Sequence, residues 1–267
     1  MSKWLSLAAL VLASRLSFPV VAYTWPDPAY DVLHEFLWKD LTFFLATPGV
    51  CEPLGTDGTS PSIHAQWLRT AYHDMATFNN GSGGLDGSLF YELDRAENVG
   101  LSLKATIQSV FNQQLGKYLS FPDVIAAGAV VAVQQCGGPT LPFKAGRVMA
   151  AGPGPSGVPI PTDSLAQNIA SFQQQGFNQT EMIGLVACGH TLGGVTNVDF
   201  PNIFSGGNTT NPISPFDGSR NFDNQIATNF IDGTIIDPLA NGPAISDSDA
   251  RIFSSDGNAT IERPVPR

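Results

Sequence analysis

Two histidines stand in contexts where their side chains could do chemistry. The first is His73, in the run Arg69-Thr-Ala-Tyr-His73-Asp74. Arg69 and His73 are four residues apart, so on a helix their side chains lie on one face. A neutral imidazole that takes a proton, beside a cation that stabilises negative charge, suits proton transfer to a small oxygen species. The same spacing also fits a surface helix whose arginine and histidine are merely solvated.

The second is His190, which ends the run Glu181-Met-Ile-Gly-Leu-Val-Ala-Cys-Gly-His190. This run is almost wholly apolar until its last turn, so as a helix it delivers one imidazole to the end of a hydrophobic wall. A histidine there is either a satisfied core residue or a metal ligand such as a haem axial imidazole. An axial imidazole needs a carboxylate to accept a hydrogen bond from its other nitrogen, and the acidic run 245–249 offers candidates.

Two oxygen-rich segments are candidate cation sites. Asp74 follows His73 directly, and Gly84-Leu-Asp86-Gly-Ser88 comes ten residues later. Carboxylates, a hydroxyl and glycine-exposed carbonyls fit a hard cation such as Ca²⁺. The segment 216–223, together with Thr191, repeats the pattern near the second histidine. Asp-Gly-Ser is also a common turn, so each segment by itself is compatible with the absence of a cation.

Helices must position these residues. Apolar periodicity and helix-terminating glycines and prolines predict a mostly helical, all-α fold, with little of the alternation of period two that strands require. The Gly- and Pro-rich run 152–161 is the best candidate for a boundary between two lobes. The predicted helices are 63–78, 89–99, 102–118, 122–136, 164–174, 180–190, 223–230 and 248–253.

Composition excludes several classes of protein. The chain has 267 residues, 43% of them apolar, which is enough for a substantial core. Its formal net charge of −10 repels phosphate backbones, so we expect no nucleic-acid partner. We expect no membrane partner either, because no apolar run after the first segment approaches the length of a bilayer span.

The first segment predicts secretion. Residues 1–22 resemble a signal peptide, with a basic start, an apolar stretch and a small-residue cleavage site. Four N-x-[ST] sequons, at Asn80, Asn178, Asn208 and Asn258, are consistent with a glycosylated extracellular protein. Three cysteines remain, so at most one internal disulfide can form.

Seven short motifs follow one another across most of the chain. They are Arg69-x-x-Tyr72-His73-Asp74, Gly84-x-Asp86-Gly-Ser88, Glu97-Asn98-x-Gly100, Gly137-Gly-Pro139 with Gly146-Arg147, Gly189-His190-Thr191, Phe222-Asp223-Asn224 and Ser248-Asp249. In this order they resemble the plant/fungal/bacterial haem peroxidase superfamily, and they are most similar to its fungal secreted (class II) and ascorbate-peroxidase-like enzymes.

The resemblance implies haem b held in one peroxidase domain, between a distal lobe (23–152) and a proximal lobe (153–267). His73 would move the peroxide proton, Arg69 would assist cleavage of the O–O bond, and Asn98 would fix the His73 imidazole. On the other side of the haem, His190 would bind the iron and Asp249 would accept its hydrogen bond. Phe216 occupies the slot in which ascorbate-type enzymes carry a tryptophan.

Further sites are implied by the same resemblance. A distal calcium would lie among Asp74, Gly84, Asp86 and Ser88. A proximal calcium would lie among Thr191, Asp217, Ser219 and Asp223, although the loop from Asp217 to Asp223 is about one residue shorter than usual. The exposed haem edge would be lined by Pro159, and a disulfide would join Cys51 and Cys136. Cys188 lies two residues before His190 in an apolar run, so we expect it to be a buried free thiol.

Departures from the family pattern point to the electron donor. Tyr72 replaces the usual distal Phe or Trp, Leu185 stands where lignin-oxidising members have a surface Trp, and Ser62 and Gln66 stand where manganese-oxidising members have acids. By elimination, we expect a secreted, monomeric peroxidase that uses H₂O₂ to oxidise small phenols or aromatic amines. One alternative is a non-catalytic secreted haem- or calcium-binding protein on the same scaffold. Another is a calcium-dependent adhesive or carbohydrate-binding module.

Overall fold

The computed structural model describes residues 51, 62–112, 118–204, 213–219 and 221–263. The signal-peptide prediction for 1–22 and the sequon at Asn208 lie outside these residues. The described chain is mostly helical, as expected, with a single two-stranded antiparallel sheet. Its helices are α1 (Ile63–Met75), α2 (Leu101–Asn112), α3 (Phe121–Gln135), α4 (Leu165–Gln174), α5 (Gln179–His190), α6 (Gln225–Asp232) and α7 (Ser248–Phe253), and its strands are β1 (Gly194–Thr196) and β2 (Ile213–Pro215).

One apolar core joins α1, α2 and α3. Trp67 of α1 is fully buried and packs over Gly128 of α3, where an added Cβ would lie 2.1 Å from a ring atom of the indole. Ile107 of α2 and Ile125 of α3 belong to the same cluster. The glycine therefore allows α1 and α3 to pack closely. This packing places the last turn of α1, which carries His73, over the core.

A second core joins α4, α5, α6 and α7. Its buried members include Phe172, Met182, Ile183, Ile226 and Phe253. Both α4 and α5 begin with capping boxes, in which a side chain and a backbone N–H are satisfied reciprocally at the helix start. The second core fixes the end of α5, where His190 stands, against the start of α7.

Several predicted helix boundaries were wrong. The helix expected at 89–99 is two short 3₁₀ helices, Ser88–Tyr91 and Ala96–Asn98, because Arg95 is extended between them. The helix expected to start at residue 180 begins at Gln179, with Asn178 as its cap. The helix expected from Asp223 begins at Gln225, since the Asp223 carboxylate accepts the Gln225 N–H.

The segment 139–164 contains no helix or strand and is held by polar contacts to both cores. The Asp123 carboxylate accepts the Gly146 and Arg147 N–H groups and pairs with the Arg147 side chain. Gly157 O accepts hydrogen bonds from Ser171 and Gln175. The boundary between lobes at 152 stays a prediction.

One prediction about the cysteines is confirmed and another is wrong. Cys51 and Cys136 form a disulfide with a Cα–Cα distance of 5.5 Å, which confirms the pairing. Cys188 was expected to be buried, but its side chain is exposed, because it points away from the apolar face of α5 that packs into the second core. None of the described helices has the length and apolar character needed to cross a bilayer.

Candidate active site

His73 is held by a chain of amide hydrogen bonds. It lies in the last turn of α1, with only 7% of the residue exposed. Its Nδ1 is 2.7 Å from Asn98 Oδ1, and Asn98 Nδ2 donates to Glu92 O at 2.9 Å. Because the Asn98 amide nitrogen is the donor to Glu92, Asn98 Oδ1 is the acceptor and His73 Nδ1 carries the proton. The lone pair of His73 is therefore on Nε2.

Burial and charge keep the His73 imidazole neutral. Burial, and then the positive charge of Arg69, lower the pKa of His73 to about 3. Burial lowers the pKa of Arg69 to about 10, so its guanidinium remains charged at neutral pH. Arg69 and His73, which we expected to lie together from their spacing, are thus a cation beside a neutral base. The alternative of a solvated surface helix is wrong, because His73 is buried.

Arg69 is anchored to the start of α2. Its Nη2 donates to Val99 O at 2.7 Å and its Nη1 to Ser102 Oγ at 3.2 Å. The Asp199 carboxylate, which sequence analysis missed, faces Arg69 across Gly100 and raises the pKa of Arg69. Gly100 has a φ of +107°, and an added Cβ would lie 3.0 Å from Asp199 Oδ2. This glycine therefore allows the two charged groups to approach.

The Tyr72 side chain connects α1, to which it belongs, with α4. Its ring stacks on Phe172 at 6.2 Å between centroids, and its edge contacts the His73 ring at the same separation. The hydroxyl donates to Gln175 Oε1 at 3.5 Å. Burial raises the pKa of Tyr72. The ring thus joins the helix of His73 to the second core.

His190 is held by a carboxylate instead of an amide. Its Nδ1 is 2.5 Å from Oδ2 of Asp249, whose other oxygen accepts the Ser248 hydroxyl at 3.1 Å. The His190 side chain is 32% exposed, whereas Asp249 is buried. The ring stacks on Phe216 with centroids 4.2 Å apart and an interplanar angle of 11°. The alternative of a satisfied core histidine does not fit this exposure, and Nε2 is left to bind a ligand.

A second carboxyl group, Asp237, lies beside Asp249 and was also missed. Asp237 is buried, its Oδ1 accepts the Leu239 N–H at 2.8 Å, and its side chain is within hydrogen-bonding reach of Asp249. Burial first, and then the charge of Asp249, raise the pKa of Asp237 well above its usual value. Its only sequence signal is one acid in the otherwise apolar run 235–240.

The distal oxygen-rich segment folds around Asp74. Its carboxylate accepts the Gly87 N–H at 2.8 Å and the Leu89 N–H at 2.9 Å. Burial raises the pKa of Asp74 to about 6, and the charges of Asp86 and Glu92 act in the same direction. A cation placed here would offset that repulsion.

The other distal residues gather around the Thr77 hydroxyl, which the sequence did not single out. This oxygen lies 2.8 Å from Asp74 O, 3.3 Å from Gly84 O and 3.4 Å from Ser88 Oγ. The structure therefore brings three of the four expected ligands together at Thr77, and the fourth, Asp86, accepts the Ser88 N–H at 3.1 Å. Oxygen atoms of this kind are those that Ca²⁺ prefers.

The proximal oxygen-rich segment is assembled in part. Thr191 Oγ1 donates to Asp217 Oδ2 at 3.1 Å and also lies 3.1 Å from Asp223 O. Burial raises the pKa of Asp217, and the charge of Asp223 adds to this. The Ser219 hydroxyl instead donates to Asn221 O. Three of the four expected ligands thus share one place, in a donor set that fits a hard cation.

Pro159 was expected to line the haem edge. It is partly exposed, in the segment that Gly157 ties to α4. Its place at the haem edge stays a prediction.

A model of the family described as peroxidase matches residues 54–263. The chain belongs to this family. It is 36% identical over 269 aligned residues to a WSC domain-containing protein of Arthroderma benhamiae, which covers 97% of the chain and 37% of that protein. It is 38% identical over 131 residues to a putative L-ascorbate peroxidase 6 of Arabidopsis thaliana, covering 47% of the chain and 40% of the relative.

A third relative is the low-redox potential peroxidase of Taiwanofungus camphoratus, 31% identical over 174 residues, covering 63% of the chain and 50% of that protein. The resemblance to haem peroxidases is therefore confirmed. The chain spans half or less of the length of these curated relatives.

Proposed function

We propose that this chain is a haem-dependent peroxidase that uses hydrogen peroxide to oxidise small donors. The observation that carries the proposal is the pair of fixed imidazoles. His73 is held at Nδ1 by an amide oxygen and His190 is held at Nδ1 by a carboxylate, which leaves Nε2 of each ring for other partners. One neutral base and one electron-rich ligand are the two groups that a haem peroxidase requires.

The residues present fit haem. His190 would bind the iron through Nε2, because its Nδ1 is committed to Asp249 and its ring is partly exposed. Asp249 would make the imidazole a stronger ligand, and Phe216 would hold the ring plane by stacking. When bound, haem supplies a redox-active iron that passes electrons from small donors to peroxide.

The distal residues would handle the peroxide protons. His73 Nε2 takes a proton from hydrogen peroxide and returns it to the departing oxygen atom, as a neutral imidazole with a low pKa can do. Asn98 keeps the Nδ1 proton in place, so only Nε2 exchanges protons. The Arg69 charge stabilises the negative charge that develops on oxygen.

The donors would be small phenols or aromatic amines. Support comes from the residues that replace known donor sites in the family: Phe216 in place of a proximal Trp, Leu185 in place of a surface Trp, and Ser62 and Gln66 in place of Mn²⁺-binding acids. A neutral or cationic donor also suits a chain with a net charge of −10.

The proposal includes secretion as a monomer and one or two bound calcium ions. Residues 1–22 and the Cys51–Cys136 disulfide support an oxidising destination. Asn80 and Asn178 are both exposed and available for a glycan, because the atom of Asn178 that caps α5 is Oδ1, which leaves its amide nitrogen free of that bond. The two oxygen-rich clusters around Asp74 and Asp217 support the calcium ions.

The test begins with haem. Purified protein is titrated with haem while the Soret band is recorded, and H₂O₂ is then added with and without a phenol. We expect a stoichiometric band, a peroxide-induced spectral change and turnover of the phenol. A band that peroxide leaves unchanged would support the non-catalytic haem-binding alternative. The absence of any band would remove both haem proposals and leave the calcium-dependent module.

A further inference from the structure

Three buried carboxyl groups cluster behind His190. Asp249 contacts the imidazole, Asp237 interacts with Asp249, and Asp217 is close enough to Asp237 to influence its pKa. Each of the three is at most 2% exposed. Placing three negative charges together out of water is costly, so the group is expected to retain a proton.

The geometry indicates which group carries that proton. Leu239 bridges the two nearest carboxyls: its N–H donates to Asp237 Oδ1 at 2.8 Å, and its carbonyl accepts the Asp249 N–H at 2.9 Å. Asp249 already accepts hydrogen bonds at both oxygens, from His190 and Ser248. Asp237 Oδ2 is buried and has no donor among the described residues. An ionised carboxylate oxygen that is buried without a donor is costly, whereas a protonated one can donate to a neighbouring acceptor.

We propose that Asp237 is a positioning residue of the haem site, whose Oδ2–H donates a hydrogen bond to the Asp249 carboxylate. Burial and the charge of Asp249 both favour the neutral form of Asp237. The result is a relay in which Asp237 donates to Asp249 and Asp249 accepts from His190. The role at haem rests on the proposed function, whereas the carboxyl pair does not.

This extra hydrogen bond weakens the pull of Asp249 on the His190 proton. A carboxylate that accepts one more hydrogen bond is less basic, so the imidazole keeps more of its Nδ1 proton and donates less electron density to a metal. The ferric state is then less favoured, and the Fe(III)/Fe(II) potential is raised. Asp237 would thus set the potential without touching the haem.

The first experiment needs no haem. Infrared difference spectra at neutral pH compare the wild-type protein with Asp237→Asn and with the control Asp232→Asn, an exposed acid in the same part of the chain. We expect a C=O stretch of a protonated carboxylic acid that disappears in Asp237→Asn and persists in the control. The absence of such a band, or its persistence in Asp237→Asn, would overturn the proposal.

The second experiment measures the potential of the haem-loaded protein. Asp237→Leu removes the donor and should reduce the equilibrium constant for reduction roughly tenfold, which is about 59 mV for one electron. Asp237→Asn keeps a donor and an acceptor, so its potential should match that of the wild type, as should that of Asp232→Asn. A higher potential in Asp237→Asn would mean that an ionised group had been removed, and the proposal would be wrong.

The two experiments separate the possible failures. If haem does not bind, the proposed function fails while the infrared bands still decide the state of the carboxyl pair. If haem binds and Asp237→Leu does not fold, the potential of Asp237→Asn still distinguishes a neutral Asp237 from an ionised one.

Discussion

Both histidines of the site are held at Nδ1 by a side-chain partner, but the partner of His73 is a neutral amide and the partner of His190 is a carboxylate. On the distal side, His73 Nδ1 donates to the Asn98 amide, which in turn donates to a backbone carbonyl. On the proximal side, His190 Nδ1 faces the Asp249 carboxylate, with Asp237 behind it. We call these the distal and the proximal hydrogen-bond chain. Every partner of His73 in the distal chain is neutral, whereas the proximal chain contains carboxyl groups.

This difference sets what each ring can do. Burial and the charge of Arg69 leave His73 a weak base with a pKa of about 3, and its neutral partner Asn98 offsets this only in part. In the proposed peroxidase it would take a proton only while negative charge develops nearby and would then release it. A carboxylate partner raises the electron density of His190, which strengthens it as a metal ligand. Exchanging the partners, or removing either ring, therefore tests the comparison directly.

Removing the distal ring should have the largest effect. His73→Leu should still bind haem but react with peroxide slower by several orders of magnitude, because acid–base and electrostatic stabilisation are each worth at least ~100-fold. Stopped-flow measurement of the first reaction with H₂O₂ checks this, and the Soret band controls for haem binding. A near-normal rate would mean that another residue is the distal base.

Breaking the proximal chain should have the next largest effect. Asp249→Asn removes the negative partner of His190 and should weaken haem affinity ~10- to 100-fold, as is usual when a partner of a metal ligand is lost. Haem transfer to a competing apoprotein measures this affinity. The exposed acid Asp232 provides the control, since Asp232→Asn changes the net charge equally. Equal losses in the two variants would indicate a general charge effect.

Replacing the neutral partner of His73 by a carboxylate, as on the proximal side, should have a smaller effect. It should be visible in the pH dependence of the peroxide reaction. Asn98→Asp places a negative charge on His73 Nδ1 and should raise the pKa of His73 by roughly 1–3 units. The neutral ring is the active form, so the peroxide reaction of the variant should lose rate at a pH where the wild type keeps it. If the two profiles have the same acid limb, Asn98 does not control the protonation of His73.

The sequence predicted the chemical residues better than the elements that carry them. His73 with Asn98 and His190 with Asp249 lie far apart in the chain, yet the family resemblance implied both pairs, and each is in hydrogen-bonding contact. The region after Ser88 was expected to be one helix because apolar residues recur there at helical spacing. The extended backbone at Arg95, and the Glu92 carboxylate that binds it, instead divide the segment.

The groups that sequence reasoning missed act through tertiary contacts. Asp237 and Asp199 belong to no motif, and each becomes significant only because folding brings it beside Asp249 or Arg69. Thr77 was overlooked because a lone threonine after a helix carries no signal, although its hydroxyl links three backbone or side-chain oxygens. Cys188 was misjudged because an apolar run does not reveal which face of a helix is covered.

The smallest expected effect concerns the calcium ion proposed at Asp74, next to His73. The pKa of Asp74 is raised to about 6 in the folded protein, against an ordinary value of 3.8, so without a cation the native state binds its proton more tightly than the unfolded chain does. Stability should then fall as pH rises from about 4 to 6, by roughly 2–3 kcal/mol. A bound Ca²⁺ favours the ionised carboxylate and should remove this slope.

Melting temperatures measured across this pH range, with excess Ca²⁺ and with EDTA, check the effect. We expect the falling slope in EDTA, its loss with Ca²⁺, and the same behaviour in Asp94→Asn, whose acid is exposed and paired with Lys104. If Ca²⁺ changes neither the melting temperature nor its slope, no calcium binds at Asp74, and the hydrogen bonds of Asp74 and Thr77 hold the distal loop without it. The distal loop would then be held by hydrogen bonds without a metal, just as His73 is held by its hydrogen bond to Asn98.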